Sequence, residues 1–152
     1  MNNKRGQVST EYLVIIGVVL VIALIVVFLL TRTTGLSGGT VETQSKNYWA
    51  SAAPFSVSTY KASGTALDLS MKNTDVEQLT LTGVSGTGIT TNSNLSTVFA
   101  SSQERTVTVT LSSDCGTVGT RFQFANITFT YDKGAVTGLR QVGSIPLAGS
   151  CS

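Results

Sequence analysis

The stretch from Leu13 to Leu30 reads LVIIGVVLVIALIVVFLL, eighteen residues without a charge or a strongly polar side chain. Its apolar character goes all the way round a helix. Such a helix is surrounded by lipid or by other helices and does not lie on the surface of a soluble core. At 1.5 Å per residue, Gln7 to Thr31 spans roughly 38 Å, enough to cross a bilayer. The run is rich in Val and Ile, which suggests strands in water. In lipid each backbone group must bond within its own segment, so the helix prevails. A removable secretory signal has a shorter apolar region followed by a small-x-small cleavage site, whereas TRTTGLSGG follows this one.

What surrounds the run argues against catalysis. The 152 residues contain no His, which removes the commonest general base and metal ligand together. Two Cys cannot build a zinc or iron–sulfur site alone. Charged residues make up 12% of the chain, while 41 of the 152 residues are Ser or Thr. Gly83-Val84-Ser85-Gly86-Thr87-Gly88 lacks the Lys of a phosphate loop and reads as a turn between strands. The acidic residues are scattered. An enzyme is not expected, nor a cofactor or a metal centre; Asp75 and Glu77 offer the one calcium option. The net charge of +2 comes from Lys4 and Arg5, because eight basic and eight acidic residues balance from Gln7 onward. With no basic patch to hold a phosphate backbone, nucleic acid is not an expected partner.

Glu11 lies two residues before the apolar run, in what should be the first turns of the same helix. Its neighbours, Lys4-Arg5-Gly6-Gln7-Val8-Ser9-Thr10-Glu11-Tyr12, complete a short signature. The segment resembles the class III signal sequence of archaeal type IV pilins, in which a basic-basic-Gly leader precedes Gln-x-Ser-x-Glu-Tyr and a long apolar helix. The resemblance covers about the first thirty residues. It implies a pilin made as a membrane precursor, with its N-terminus inside, and assembled into an adhesive surface filament.

A prepilin peptidase would recognise Lys4, Arg5, Gly6, Gln7 and Ser9 and cut between Gly6 and Gln7. Implied partners are further copies of the chain, an assembly ATPase and a membrane platform protein. The cut removes two cations that oppose movement out of the cytoplasmic face. It also creates an α-amino group on Gln7. A lone carboxylate buried among apolar helices is costly, so an amine from the next subunit would neutralise Glu11 and set the axial register. Gln7, Glu11 and Tyr12 are the assembly candidates. The rival reading is a membrane-anchored β-sandwich that binds at the surface and never polymerises.

The expected organisation is a leader over 1–6, a hydrophobic helix over 7–34, a linker with a possible short helix over 35–53, and a head over 54–152. Thr33 to Thr40 holds three Gly in eight residues and predicts a helix stop or joint. Val41, Ser45, Tyr48 and Trp49 then share one helical face, to set Tyr48 and Trp49 either at the membrane interface or against the head.

From Pro54 the period becomes two. Leu67, Leu69 and Met71, then Leu79 and Leu81, then Val107, Val109 and Leu111, then Ile127, Phe129 and Tyr131 alternate with polar residues. The fold class is therefore α+β: a long apolar helix followed by an all-β, immunoglobulin-like sandwich head, pilin-like in outline. Phe122 and Phe124 break the alternation, either through a bulge near Ala125 or because both faces are covered. Outside the cell, Cys115 and Cys151 read as a disulfide, the alternative being two buried thiols. Asn94-Leu95-Ser96 and Asn126-Ile127-Thr128 are sequons, so Asn94 and Asn126 are possible N-glycosylation sites.

Overall fold

The computed structural model describes the chain from Gln7 to Ser152, apart from the side chains of residues 7–9 and 29–38. It divides into two compact units, residues 1–40 and Val41–Ser152. One helix, α1, is assigned from Gln7 to Ser51. The helix stop expected over Thr33–Thr40 does not occur. Each Gly costs roughly 1 kcal/mol against Ala, but none removes a backbone donor as Pro does, so the hydrogen-bond ladder continues. Within the first unit, Thr10–Phe28 is long and apolar enough to cross a membrane, and none of it is buried inside the protein.

The second unit begins with the last turns of α1, then Pro54, and is otherwise built of antiparallel strands. In chain order these are β1 (Phe55–Ser63), β2 (Ala66–Asn73), β3 (Leu79–Gly86), β4 (Ile89–Asn92), β5 (Thr97–Phe99), β6 (Glu104–Thr110), β7 (Arg121–Phe124), β8 (Thr128–Lys133), β9 (Val136–Val142) and β10 (Leu147–Ser150). One sheet has the order β1-β2-β6 and a second pairs β10 with β7. The third runs β4-β3-β8-β9, with β5 also on β3. The period-two residues fill a common core: Leu67, Leu69, Leu79, Leu81, Val107, Val109 and Phe129 are all buried. Burying each such side chain contributes about 1.5–3 kcal/mol against leaving it in water.

Two local readings change in the structure. The turn expected across Gly83–Gly88 shrinks to Thr87-Gly88, because β3 continues to Gly86. Gly83 is instead a strand residue, at an irregular step of the β3–β8 ladder between Leu81 and Gly83. A Cβ there would sit 3.0 Å from the Asn92 carbonyl oxygen, so its absence lets the two chains approach. Phe122 and Phe124 are out of phase with Ile127 and Phe129 because the chain changes sheet between them. It leaves β7, paired with β10, through Asn126 at φ 55° and enters β8, paired with β3. The break falls near Ala125 as expected, but it is a change of sheet and neither a bulge within one strand nor a strand covered on both faces.

Gln141 closes a seam between sheets. Its side-chain amide accepts from the Phe55 N–H (2.9 Å) and donates to the Phe55 carbonyl (2.8 Å), standing in for a strand neighbour of β1.

Candidate functional site

The processing segment lies at the start of α1. Lys4, Arg5 and Gly6 fall outside the described residues, as do the side chains of Gln7 and Ser9. Glu11 and Tyr12 are exposed on the helix. Glu11 shares a shallow hollow with Thr10, Val14 and Ile15, and no cation pairs with it among the described residues. A carboxylate is thus held against an apolar surface that is itself uncovered. Covering that surface with another helix requires a positive or hydrogen-bonding group at Glu11, or several kcal/mol are lost.

At its other end α1 is docked. Ser45, Tyr48 and Trp49 recur at spacings of three and four, so one face meets the head. Trp49 is fully buried and meets Phe129 edge-on, with ring centroids 5.6 Å apart. Gly143 lies under the indole, and a Cβ there would overlap Trp49 Cη2 and Cζ2. Tyr48 Oη accepts from the Ser144 N–H at 2.9 Å. Ser45 Oγ is buried and accepts from the Ala148 N–H (3.0 Å). Tyr60 Oη lies 3.2 Å from Ser45 Oγ and donates to the Ala148 carbonyl (2.6 Å). Burial pushes the Tyr60 phenol above its usual range, against the lowering effect of the Ser45 hydrogen bond. Tyr48 and Trp49 therefore serve the head, which was one of the two placements expected. Tyr60 and Gly143 have no local signal in the sequence; they meet the helix only through the register of the sheets.

Cys115 and Cys151 form a disulfide with Cα atoms 6.0 Å apart. Of the two sequons, Asn94 is exposed in the irregular segment between β4 and β5. Asn126 is exposed at the break between β7 and β8, with its carbonyl accepting from Thr128 Oγ1 at 3.2 Å.

The Asp75–Glu77 pair is not an open cation site. Lys133 Nζ stands 2.7 Å from Asp75 and 3.8 Å from Glu77, occupying the position a metal would take. No cluster of metal-ligating side chains occurs among the described residues. The Lys133 hydrogen bond first, then the Glu77 N–H, holds the Asp75 carboxyl below its usual range; Asp75 in turn raises Lys133. Hydrogen bonds from Ser58 and then Ser70 lower Glu104 in the same way.

A depressed carboxylate pKa stabilises the fold above the free-acid value. That contribution is lost as pH falls through the lower folded value. Asp75→Asn should therefore be less stable than wild type at about pH 6, with a smaller gap at about pH 3, below the free-acid value. Urea midpoints at the two pH values test this, and an unchanged gap between the two proteins would rule it out.

A helix whose apolar surface is bare, followed by an antiparallel β-rich domain, is the outline of a pilin-like α+β protein. Comparison with known families agrees where the leader meets the helix: residues 4–30 match the Class III signal peptide family. The chain thus carries a type IV pilin-like leader, the mark of a membrane-anchored precursor handled by a prepilin peptidase. No curated protein and no solved structure matches the chain.

Proposed function

We propose that the protein is the structural subunit of an archaeal type IV pilus-like surface filament with an adhesive role. The reading is carried by one observation: the class III signal peptide match over residues 4–30 takes in a helix with no buried residue from Thr10 to Phe28. Lipid covers that helix in the precursor, and the helices of other copies cover it in the filament. Cleavage between Gly6 and Gln7 frees the segment to leave the membrane. Glu11 then takes the new amine of a neighbouring subunit and sets the register. Head domains form the outer wall, outside the cell, with Asn94 and Asn126 as glycan acceptors. The protein has no enzymatic role; its partners are its own copies, the peptidase, an assembly ATPase and a platform protein.

The test uses material sheared from the cell surface and pelleted at high speed. The chain in that pellet should begin at Gln7 or its cyclised form, by intact mass and N-terminal sequence. Glu11→Ala chains should be cut normally yet be missing from the pellet. A chain that starts at Met1 and stays with the membranes would instead make this a simple anchored binding protein.

A further inference from the structure

On the outer face of the five-stranded sheet is a cleft of about 340 Å³. Thr130 of β8 stands opposite Arg140 of β9 and also opposite Gly83 of β3, so this row crosses three strands. Gly83 has no side chain, so the backbone of Asn92 and Ser93 comes close over it at one end of the row. The segment from Thr91 to Ser93 forms the facing wall. The volume is at the low end of the roughly 300–1,000 Å³ found for small-ligand sites.

Part of the lining's hydrogen-bonding capacity is used within the protein and part is left open. Thr82 Oγ1 donates to the Thr130 carbonyl, and Thr128 Oγ1 to that of Asn126. The hydroxyls of Ser85, Thr91, Ser93 and Thr130 have no hydrogen-bond partner among the described residues, and Arg140 has no carboxylate partner there. Hydroxyls both donate and accept, as a polyol requires, and the guanidinium fork matches a carboxylate. The lining has no aromatic ring on which a base could stack. Its single cation is too little for a polyphosphate.

We infer that this cleft is a binding site for a saccharide bearing an acidic group, with Arg140 holding the anion and the Ser/Thr hydroxyls the ring. Without an aromatic platform a single site should bind weakly, with a Kd on the order of 1 mM. Two sources offer the same chemistry. One is a polysaccharide outside the protein, held through many weak copies along a surface array. The other is a glycan on Asn94, one residue beyond the Ser93 wall, whose tether supplies a high effective concentration. The site itself does not depend on the filament reading, and single subunits are used to test it.

The probes are glucuronate and glucose, followed by saturation-transfer NMR on the full chain in detergent micelles. Glucuronate should bind, glucose should bind more weakly, and Arg140→Gln should weaken glucuronate about tenfold or more. Arg140 is exposed and holds no ion pair among the described residues, so that variant should unfold at the wild-type temperature. Thr91→Trp, at an exposed position on the facing wall, should block the cleft while leaving Arg140 in place. If the wild type is silent but Asn94→Gln binds, and Asn94→Gln/Arg140→Gln does not, the glycan of the chain itself is the occupant. Binding that ignores Arg140→Gln, or no glucuronate binding in any variant, overturns the inference.

Discussion

Trp49→Ala is expected to destabilise the head by about 3–5 kcal/mol, the range for removing a large buried aromatic side chain. The indole is fully buried between Phe129, Tyr48 and the bare backbone of Gly143. Its Nε1–H is buried and has no hydrogen-bond partner among the described residues. Leaving such a donor unmade costs about 1–3 kcal/mol, so packing holds this residue in place against a polar penalty. Trp49→Phe removes the penalty together with part of the volume and should therefore lose far less than Trp49→Ala. Gly143 supplies an independent check. Gly143→Ala forces a methyl into the ring and should be strongly destabilising in wild type, but close to neutral in Trp49→Ala, where the ring is gone. Urea unfolding of the four proteins completes the cycle. Additive losses would mean that the two residues do not share this contact.

That contact also marks how far the sequence could be read. Local patterns were legible because they depend on period alone: the apolar run, the alternation of Leu67, Leu69 and Met71, and the one-face spacing of Ser45, Tyr48 and Trp49. The break between Phe122 and Ile127 was visible as a phase error, though its cause needed the left-handed Asn126 and the change of sheet. Glycine was the weak point. Three glycines near Gly35 predicted a stop or a joint, and the helix runs through them without a stop, while Gly83 predicted a turn and gave the floor of a cleft. In each case the residue permits an unusual backbone without demanding one.

Partners set by register left no trace in sequence. Gln141 serving Phe55, Tyr60 serving Ser45, and Arg140 facing Gly83 across Thr130 all join residues distant in the chain. The leader, by contrast, is legible because its signature is one contiguous run, Lys4 to Tyr12, that no distant part of the chain has to complete. The same short segment is where a known family matches.

Removing the disulfide, by Cys115→Ser with Cys151→Ser, should cost about 4 kcal/mol through the entropy regained by the unfolded chain. The bond closes a sequence separation of 36 residues that contains β7, β8, β9 and β10, so the effect is global. The native end of the chain has other ties. Cys151 N–H donates to the Thr120 carbonyl, Gly119 N–H to that of Cys151, and Ser152 N–H to that of Ala62. Those bonds survive the substitution, so the folded head should keep its structure while its urea midpoint falls. The m-value should rise, because an uncrosslinked denatured chain exposes more surface. Hydrogen exchange separates this account from simple fraying. If the disulfide acts on the unfolded ensemble, amides in the core strands β3 and β8 lose protection along with Cys151. Loss confined to residues near Cys151, with the urea midpoint unchanged, would show that the bond only pins the terminus.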